Sequence, residues 1–379
     1  MAKQEMTSRE RACAVFERRV PDRLPREFRL TPPLEESFRS RTGAADPDEH
    51  YGLDVRYVHF SPPVSVPDFG KYYPGGVPRL WNPPGWEVGE WGVGVTPGPL
   101  LHFVHIEHPM LGLTDVSELE SYPFPDLTRP ERHRHLEAQV RSLHERGLFA
   151  IGFMEWTIFE IAWHLRGMEN LFLDLRFNPR FAEHLLERIT EIRCFQARRF
   201  AEAGVDLLKI GDDVGTQRAL LMSRDMYRRW FQPRHARVIR AARAVRPDLP
   251  VCYHSDGDCR EVIPDLIEAG VTVLNPVQPE CLDLAAVKRE FGADLVFMGG
   301  IGTQTTMPFA SPREVYETVQ RTIDTLGPTG FFPCPTHVLE PEVPWENVEA
   351  YLRAVEEYGF SAAGPSEGGE SCGGNCGGN

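Results

Sequence analysis

The chain has 379 residues, of which 41% are hydrophobic, and a formal net charge of −14. A chain of this length and composition can bury a core of barrel size within one domain. The negative charge, with no dense tract of Lys and Arg to offset it, disfavours long phosphate backbones and anionic surfaces. We therefore expect no nucleic-acid partner and no membrane partner.

The start of the chain and its cysteines indicate the cellular compartment. Residues 1–23 are rich in charge and lack an apolar signal segment, and no run elsewhere approaches the roughly 18 apolar residues of a membrane-spanning helix. The eight cysteines are spread too widely for a small disulfide scaffold. The sequence predicts a cytoplasmic protein with reduced thiols.

Continuous apolar runs predict strands that are buried on both faces, as in a parallel sheet. In chain order these runs are Phe149–Met154, Leu207–Asp212, Pro250–His254, Val271–Pro276, Leu295–Gly300 and Gly330–Pro333. Two earlier strand candidates, Leu24–Leu30 and Leu53–His59, bring the count to eight. Helical patterns fill most of the gaps between them. Eight strands with crossover helices predict an α/β fold, a (β/α)8 TIM-type barrel spanning residues 1–360.

An irregular segment follows the second predicted strand. Ser61–Leu100 contains nine prolines and eight glycines, which prevent long helices, together with Trp81, Trp86 and Trp91. We expect an N-terminal lid at about residues 61–110, with Trp91 as a substrate contact. The alternative is a surface loop that packs on its own aromatic side chains.

The helices of the second half have recognisable ends. Pro179–Ala203 begins after a potential N-cap, Asn178, and stops at Gly204. Ser311 opens another helix with a capping box. Pro233 should break the helical stretch between residues 224 and 245 into two.

Polar side chains cluster where three of the predicted strands end. The segments are Lys209-Ile-Gly-Asp-Asp213, Cys252-Tyr-His-Ser-Asp256 and Phe332-Pro-Cys-Pro-Thr-His337. In a parallel barrel, the carboxyl ends of the strands meet on one face, where side chains of this kind bind metals or move protons. We therefore expect an active site built on strand ends.

Each candidate residue also has a structural interpretation. A single His such as His254 at a strand end is often only a hydrogen-bonded core residue. Asp212 and Asp213 adjoin each other, and one carboxylate could cap a helix while the other enters the pocket; Asp213 is the better pocket candidate. Glu155 could reach the pocket or cap the next helix, and His337 could be a turn residue.

Several short motifs resemble the uroporphyrinogen decarboxylase superfamily, and within it the branch of corrinoid-dependent methyltransferases more than the decarboxylases. They are Ser8-Arg-Glu-Arg-Ala12, Pro21-Asp-Arg-Leu-Pro25, Arg166-Gly-Met-Glu169, Asn275-Pro-Val-Gln278, Gly299-Gly-Ile301 with Gln304, and Pro344-Trp-Glu-Asn347. The resemblance covers residues 8–358. It implies a (β/α)8 barrel with its pocket at the carboxyl face of the strands, and it is compatible with a homodimer.

Two departures limit what this resemblance implies. The decarboxylases carry an Arg-Gln-Ala-Gly-Arg-Tyr-type loop that binds substrate carboxylates, whereas here the region has only Arg26 and Arg29. The thiol-methylating members bind zinc through His-x-Cys and a second Cys, whereas the matching positions here are His254, Asp256 and His337. The resemblance thus implies a ligand set of nitrogen and oxygen donors, suited to Zn and also to Fe or Mn.

These observations lead to a functional hypothesis. A divalent metal on His254, Asp256 and His337 would activate a small acceptor for methyl transfer, with a corrinoid on a separate protein as methyl donor. Asp213, Asp212 and His337 are the catalytic candidates. The expected substrate contacts are Arg29, Trp91, Glu155 and Gln304. Two alternatives remain: a decarboxylase acting on a porphyrinogen or smaller acid, and a non-catalytic tetrapyrrole or corrinoid carrier.

The C-terminal segment differs from the rest of the chain. Residues 361–379 are rich in Gly, Ser and Asn, a composition that predicts a disordered tail. Cys372 and Cys376 lie four residues apart in it, so that they could together bind one soft metal ion or form a small disulfide. The tail could deliver metal to the barrel mouth, supply an acceptor thiol during turnover, or be an extension without function.

Overall fold

The structure, a computed structural model, describes residues 5–80, 89–97 and 104–358. Its strands are β1 (Val55–Val58), β2 (Arg79–Leu80), β3 (Gly94–Pro97), β4 (Val104–Glu107), β5 (Phe149–Glu155), β6 (Leu207–Gly211), β7 (Val251–His254), β8 (Val273–Asn275), β9 (Val296–Ile301) and β10 (Phe331–Pro335). Seven of them form one curled parallel sheet in the order β1-β5-β6-β7-β8-β9-β10. The predicted α/β fold of TIM-barrel type is confirmed.

One of the eight predicted strands, Leu24–Leu30, differs from the expectation. It makes a single parallel bridge, between Leu30 and Leu339, beyond the end of β10. At its other end, the carbonyl of Arg26 accepts a hydrogen bond from the backbone N–H of Asp54, next to β1. This segment therefore connects the two edges of the sheet without forming a regular ladder. Pro25, which has no N–H to donate, contributes to that irregularity.

Helices alternate with the strands and cover the outside of the sheet. They are α1 (Ser8–Phe16), α2 (Pro32–Thr42), α3 (Pro47–His50), α4 (Val116–Glu120), α5 (Leu136–Glu145), α6 (Phe159–Arg166), α7 (Met168–Phe177), α8 (Pro179–Ala203), α9 (Arg224–Trp230), α10 (Gln232–Arg243), α11 (Ile263–Ala269), α12 (Leu284–Phe291), α13 (Thr306–Phe309), α14 (Pro312–Leu326) and α15 (Trp345–Glu357). The capping box at Ser311 is present, and the chain breaks between α9 and α10 beside Pro233, as predicted. Among the described helices, none has the length and apolarity needed to cross a bilayer.

Helix α1 closes the amino-terminal end of the barrel. Its Phe16 ring stacks on Phe149 of β5 at 5.3 Å and on Phe332 of β10 at 6.0 Å between ring centroids. Ala12 and Val15 of the same helix join the buried cluster that fills the barrel interior. One end of the barrel is thus covered by apolar side chains, which leaves the opposite end for a site.

The segment expected to form a lid contains a small antiparallel sheet of β2, β3 and β4. Trp91 is only 2% exposed, and the Arg193 guanidinium of α8 lies 5.1 Å above its ring. This Trp anchors the segment to the body of the protein. Trp81 and Trp86 lie outside the described residues, as does the predicted tail 361–379, and the lid itself stays a prediction.

Candidate metal and substrate site

The carboxyl ends of β6, β7 and β8 bring the principal candidate residues to one level. Gly211 is in register with His254, and His254 with Asn275. Asp213 and Asp256 follow two residues after the ends of β6 and β7. Ligand atoms of Asp213, His254 and Asp256 lie within 4.8 Å of one another, which makes these residues a potential metal-binding group.

The imidazole of His254 is oriented by a buried amide. Its Nδ1 lies 2.6 Å from Oδ1 of Asn275, and the Asn275 amide nitrogen donates to the carbonyl of Met298 at 2.9 Å. Because the Asn275 nitrogen is committed to Met298, its oxygen accepts a hydrogen bond from the Nδ1–H of His254. The neutral ring then carries its lone pair on Nε2.

That lone pair faces two carboxylates. Nε2 of His254 is 3.8 Å from Oδ1 of Asp256 and 4.0 Å from Oδ1 of Asp213. Ligands of a tetrahedral ion with bonds of about 2.0–2.1 Å are separated by about 3.3 Å, so small side-chain movements would suffice to close the set. The donors and their arrangement therefore fit a divalent cation.

Asp213 and Asp256 also interact directly with each other. The backbone N–H of Asp256 donates to Oδ1 of Asp213 at 2.7 Å. The Asp213 side chain is 39% accessible to water, yet protein atoms surround its carboxylate. This desolvation, together with the nearby Asp256, raises the pKa of Asp213 to about 6. Burial likewise raises the pKa of Asp256, against the opposing influence of His254. A bound cation would relieve this crowding of negative charge.

His337 lies near this group but outside the set of three. It follows β10, and its side chain is exposed. The protein around it nevertheless desolvates the ring, and this effect, followed by the neighbouring His254 and Arg29, lowers the pKa of His337 to about 4. The sequence predicted His337 as the third ligand; the structure instead brings Asp213 within ligand distance of the other two residues.

Asp212 points away from that group and is fully buried. Its carboxylate accepts hydrogen bonds from the backbone N–H groups of Ile158 and Glu160, at the start of α6, and lies 2.7 Å from Nε2 of His235. These contacts hold α6 against β6 and leave Asp212 no path to a substrate. Of the two adjacent aspartates, Asp213 is thus the one that enters the site.

Glu155 forms a buried ion pair beneath the site. Its Oε1 is 2.7 Å from Nζ of Lys209, and each side chain is only 3% exposed. The same oxygen lies 3.7 Å from Nδ1 of His254. Lys209, followed by His254 and Arg29, offsets desolvation and lowers the pKa of Glu155 to about 2. Glu155 therefore stays ionised and contributes negative charge behind the imidazole.

A cavity of about 230 Å³ lies between the segment that contains Arg29 and the edge strand β1. It is lined by residues that include Arg29, Tyr57, His59, Phe153 and Val338. The guanidinium of Arg29 lies 5.1 Å from the Tyr57 ring centroid and 5.4 Å from that of Phe153. None of the ion pairs among residues 5–80, 89–97 and 104–358 involves Arg29. Carboxylates of Glu27, Glu35 and Asp48 also line the cavity, but none of them is in ion-pair contact with Arg29. A cation placed over aromatic rings and outside a salt bridge can bind an anionic group.

The remaining predicted substrate contacts are Trp91 and Gln304. Trp91 is buried beside Arg193. Gln304 is exposed in the turn between β9 and α13. Sequence reasoning assigned no role to Asn275 or Lys209, although Asn275 belongs to one of the motifs that carried the family resemblance. The motif could therefore have indicated a role for Asn275.

The fold and the site define a class: a parallel α/β barrel with ionisable residues at the carboxyl ends of its strands. The family model for uroporphyrinogen decarboxylase (URO-D) matches residues 90–358, and the chain belongs to this family. It is 24% identical over 216 residues to a uroporphyrinogen decarboxylase of Chlorobium limicola, an alignment covering 55% of this chain and 59% of that protein. The chain thus spans less than two thirds of the length of this relative.

Among solved structures, the fold is similar to that of a methyltransferase from Methanosarcina mazei. The TM-score is 0.67 at 17% identity, with 93% of this chain and 99% of that chain covered. At this identity the likeness concerns the fold, and it includes nearly the whole of both chains. Membership of the URO-D family supports an enzyme.

Proposed function

We propose that the protein catalyses metal-assisted transfer of a methyl group from a corrinoid protein to a small acceptor. The observation that carries this proposal is the Nε2 lone pair of His254, directed at Asp213 and Asp256 while Nδ1 is bound by Asn275. Metal-ligating histidines commonly donate their other N–H to an oxygen acceptor in this way. Compared with the sequence hypothesis, Asp213 takes the place of His337 as the third ligand, and His337 becomes a contact for the acceptor.

Asp213, His254 and Asp256 would hold the cation, leaving a position open for the acceptor. Their nitrogen and oxygen donors suit Zn, and also Fe or Mn. A bound ion of this kind would lower the pKa of an acceptor thiol or hydroxyl and so supply the nucleophile at neutral pH.

The other side chains of the site bind and orient the acceptor. Arg29 would pair with an anionic group on it, with Tyr57 and Phe153 packing against its apolar part. His337 is uncharged at neutral pH, since its pKa is about 4, and would form a hydrogen bond to the acceptor. In this proposal, a separate corrinoid protein approaches from the open side of the site.

The proposal is tested by metal content and turnover together. The purified protein should contain close to one equivalent of Zn, Fe or Mn, and a chelator should abolish demethylation of methylcobalamin in the presence of small thiols that carry a carboxylate. Less than about a tenth of an equivalent of metal, with activity indifferent to chelator, would contradict the proposal. Tight binding of cobalamin without turnover would instead favour a carrier.

Decarboxylation of a small acid is the second candidate. It is favoured by Arg29, which has no ion-pair partner among the described residues, and by the raised pKa of Asp213, whose protonated form could donate to a developing carbanion. Release of CO2 from a carboxylic acid by the metal-free protein would support this reaction over methyl transfer. The two candidates thus differ in their dependence on metal.

A further inference from the structure

Both polar residues of the motif Asn275-Pro-Val-Gln278 contact the segment that carries His254 and Asp256. Asn275 Oδ1 lies 2.6 Å from Nδ1 of His254. Gln278 Oε1 accepts the backbone N–H of Gly257, the residue after Asp256, at 3.0 Å. Each amide is only 3% exposed. The motif therefore contacts the His254-Ser-Asp256 segment twice, at the His254 ring and at the backbone that follows Asp256.

The two contacts control different properties. Asn275 determines which nitrogen of His254 carries the proton, because its own N–H group is committed to the carbonyl of Met298. Gln278 fixes the backbone after Asp256, where Gly257 has φ of 80° and an added Cβ would lie 2.5 Å from the carbonyl oxygen of Thr216. The loop consequently has little freedom to move Asp256 away from Asp213.

The neighbouring groups do not replace Asn275 as the partner of His254. Glu155 is the other acceptor on the Nδ1 side, but its nearer oxygen is 3.7 Å away and lies 2.7 Å from the ammonium of Lys209. A distance of 3.7 Å is too long for a hydrogen bond. Loss of the Asn275 oxygen would therefore leave the Nδ1–H of His254 without a short acceptor, and the other tautomer would gain population.

We propose that Asn275 and Gln278 are positioning residues: Asn275 holds His254 in the Nδ1–H tautomer, and Gln278 holds Asp256 beside it, so that the site is organised before a divalent cation arrives. This inference rests on the proposed function for its consequence, metal affinity. The tautomer itself is a property of the protein without metal. The tautomer and the metal affinity can therefore be tested separately.

The first measurement is a two-bond ¹H–¹⁵N NMR spectrum of the metal-free full-length protein at pH 8. The His254 signals are assigned by their loss in His254→Gln. The expected result is the Nδ1–H tautomer in the wild type and a mixture in Asn275→Leu. An Nε2–H tautomer in the wild type would overturn the inference, whether or not the protein binds metal.

The second measurement is Zn²⁺ affinity by competition with a chromophoric chelator. Asn275→Leu and Gln278→Leu should each bind Zn²⁺ about 10–100-fold more weakly than the wild type. Gln278→Glu, which keeps an acceptor oxygen for the Gly257 N–H, should bind Zn²⁺ more tightly than Gln278→Leu. Wild-type affinity in both leucine variants would overturn the positioning role.

A control separates positioning from general loss of a buried amide. Asn347 is fully buried and donates to the carbonyls of Met307 and Ala310, each at 2.8 Å. Asn347→Ala should lower thermal stability while leaving Zn²⁺ affinity unchanged. An equal loss of affinity in this variant would show that the effect is structural and would overturn the inference. A wild type with the Nδ1–H tautomer but no Zn²⁺ binding would support the tautomer assignment and contradict the proposed function alone.

Discussion

Oδ2 of Asp212 lies 2.7 Å from Nε2 of His235, and neither side chain is accessible to solvent. The carboxylate also binds two backbone N–H groups at the start of α6. Its neighbour, Asp213, is 39% exposed and belongs to the potential metal group. Two consecutive residues of identical chemistry thus serve different purposes, one in the framework and one in the site.

We expect Asp212→Ala and Asp213→Ala to differ accordingly. Removing Asp212 leaves buried donors unpaired and should lower the free energy of unfolding by about 3–5 kcal/mol. Removing Asp213 relieves repulsion from Asp256 and should leave stability unchanged or slightly higher, while metal affinity falls. Urea unfolding and a Zn²⁺ titration of both variants provide the check. Equal destabilisation would show that Asp213 is also structural.

His254 and His337 should also give distinguishable variants. His254→Ala removes a ligand from the group of three and should abolish metal binding with the fold retained, as judged by circular dichroism. His337→Ala should keep the metal and lose turnover, because His337 is placed beside the acceptor in our proposal. Loss of metal in both variants would restore His337 as a ligand, as the sequence alone suggested.

The Lys209–Glu155 pair allows a double-mutant cycle. Lys209→Met leaves the buried carboxylate of Glu155 uncompensated and should destabilise the protein by about 3–5 kcal/mol. Adding Glu155→Leu removes that charge and should recover much of the loss, which gives a coupling energy well above that of exposed pairs. Additive effects in urea unfolding would mean that the two residues do not stabilise each other.

Acid should destabilise the protein through His164. Its ring is 2% exposed, and burial, followed by the nearby His108, lowers its pKa to about 3. In the unfolded chain, His has a pKa of about 6.5, so between pH 6.5 and 3 the unfolded state binds a proton that the native state excludes. Stability from this residue is therefore complete above pH 6.5 and falls by about 1.4 kcal/mol per pH unit below it.

The measurement is the free energy of unfolding at pH 7, 6 and 5 for the wild type and His164→Phe. The variant cannot take up this proton, so its stability should decline less steeply over that range. Parallel curves would show that His164 is protonated equally in the folded and unfolded states. The comparison uses slopes, because the substitution also changes packing against Trp156 and Trp163.

The sequence allowed the barrel strands to be located because their apolar runs are continuous. It failed at Leu24–Leu30, where Arg26, Glu27 and Arg29 interrupt the apolar residues and Pro25 has no N–H to donate to a ladder. The backbone N–H of Arg26 there bonds the side chain of Asp54 rather than a strand. Because such a contact joins residues far apart in the chain, no local sequence pattern predicts it.

The site was predictable to the level of strand ends and no further. Periodicity places Asp213, His254 and Asp256 on the correct face, but the reach of His337 depends on the loop after β10. The partner of His254 depends on the register between β7 and β8, which pairs it with Asn275. Neither property is encoded within a single segment.

The contacts of Phe16 also have a consequence for synthesis. This residue precedes all the barrel strands in the chain, yet its ring packs on Phe332 of β10, the last of them. Helix α1 therefore completes its contacts only after β10 has been synthesised, and contacts of such long sequence separation form slowly. Until β10 emerges, the apolar interior of the barrel lacks its cover, and the nascent chain is most exposed to aggregation at that stage.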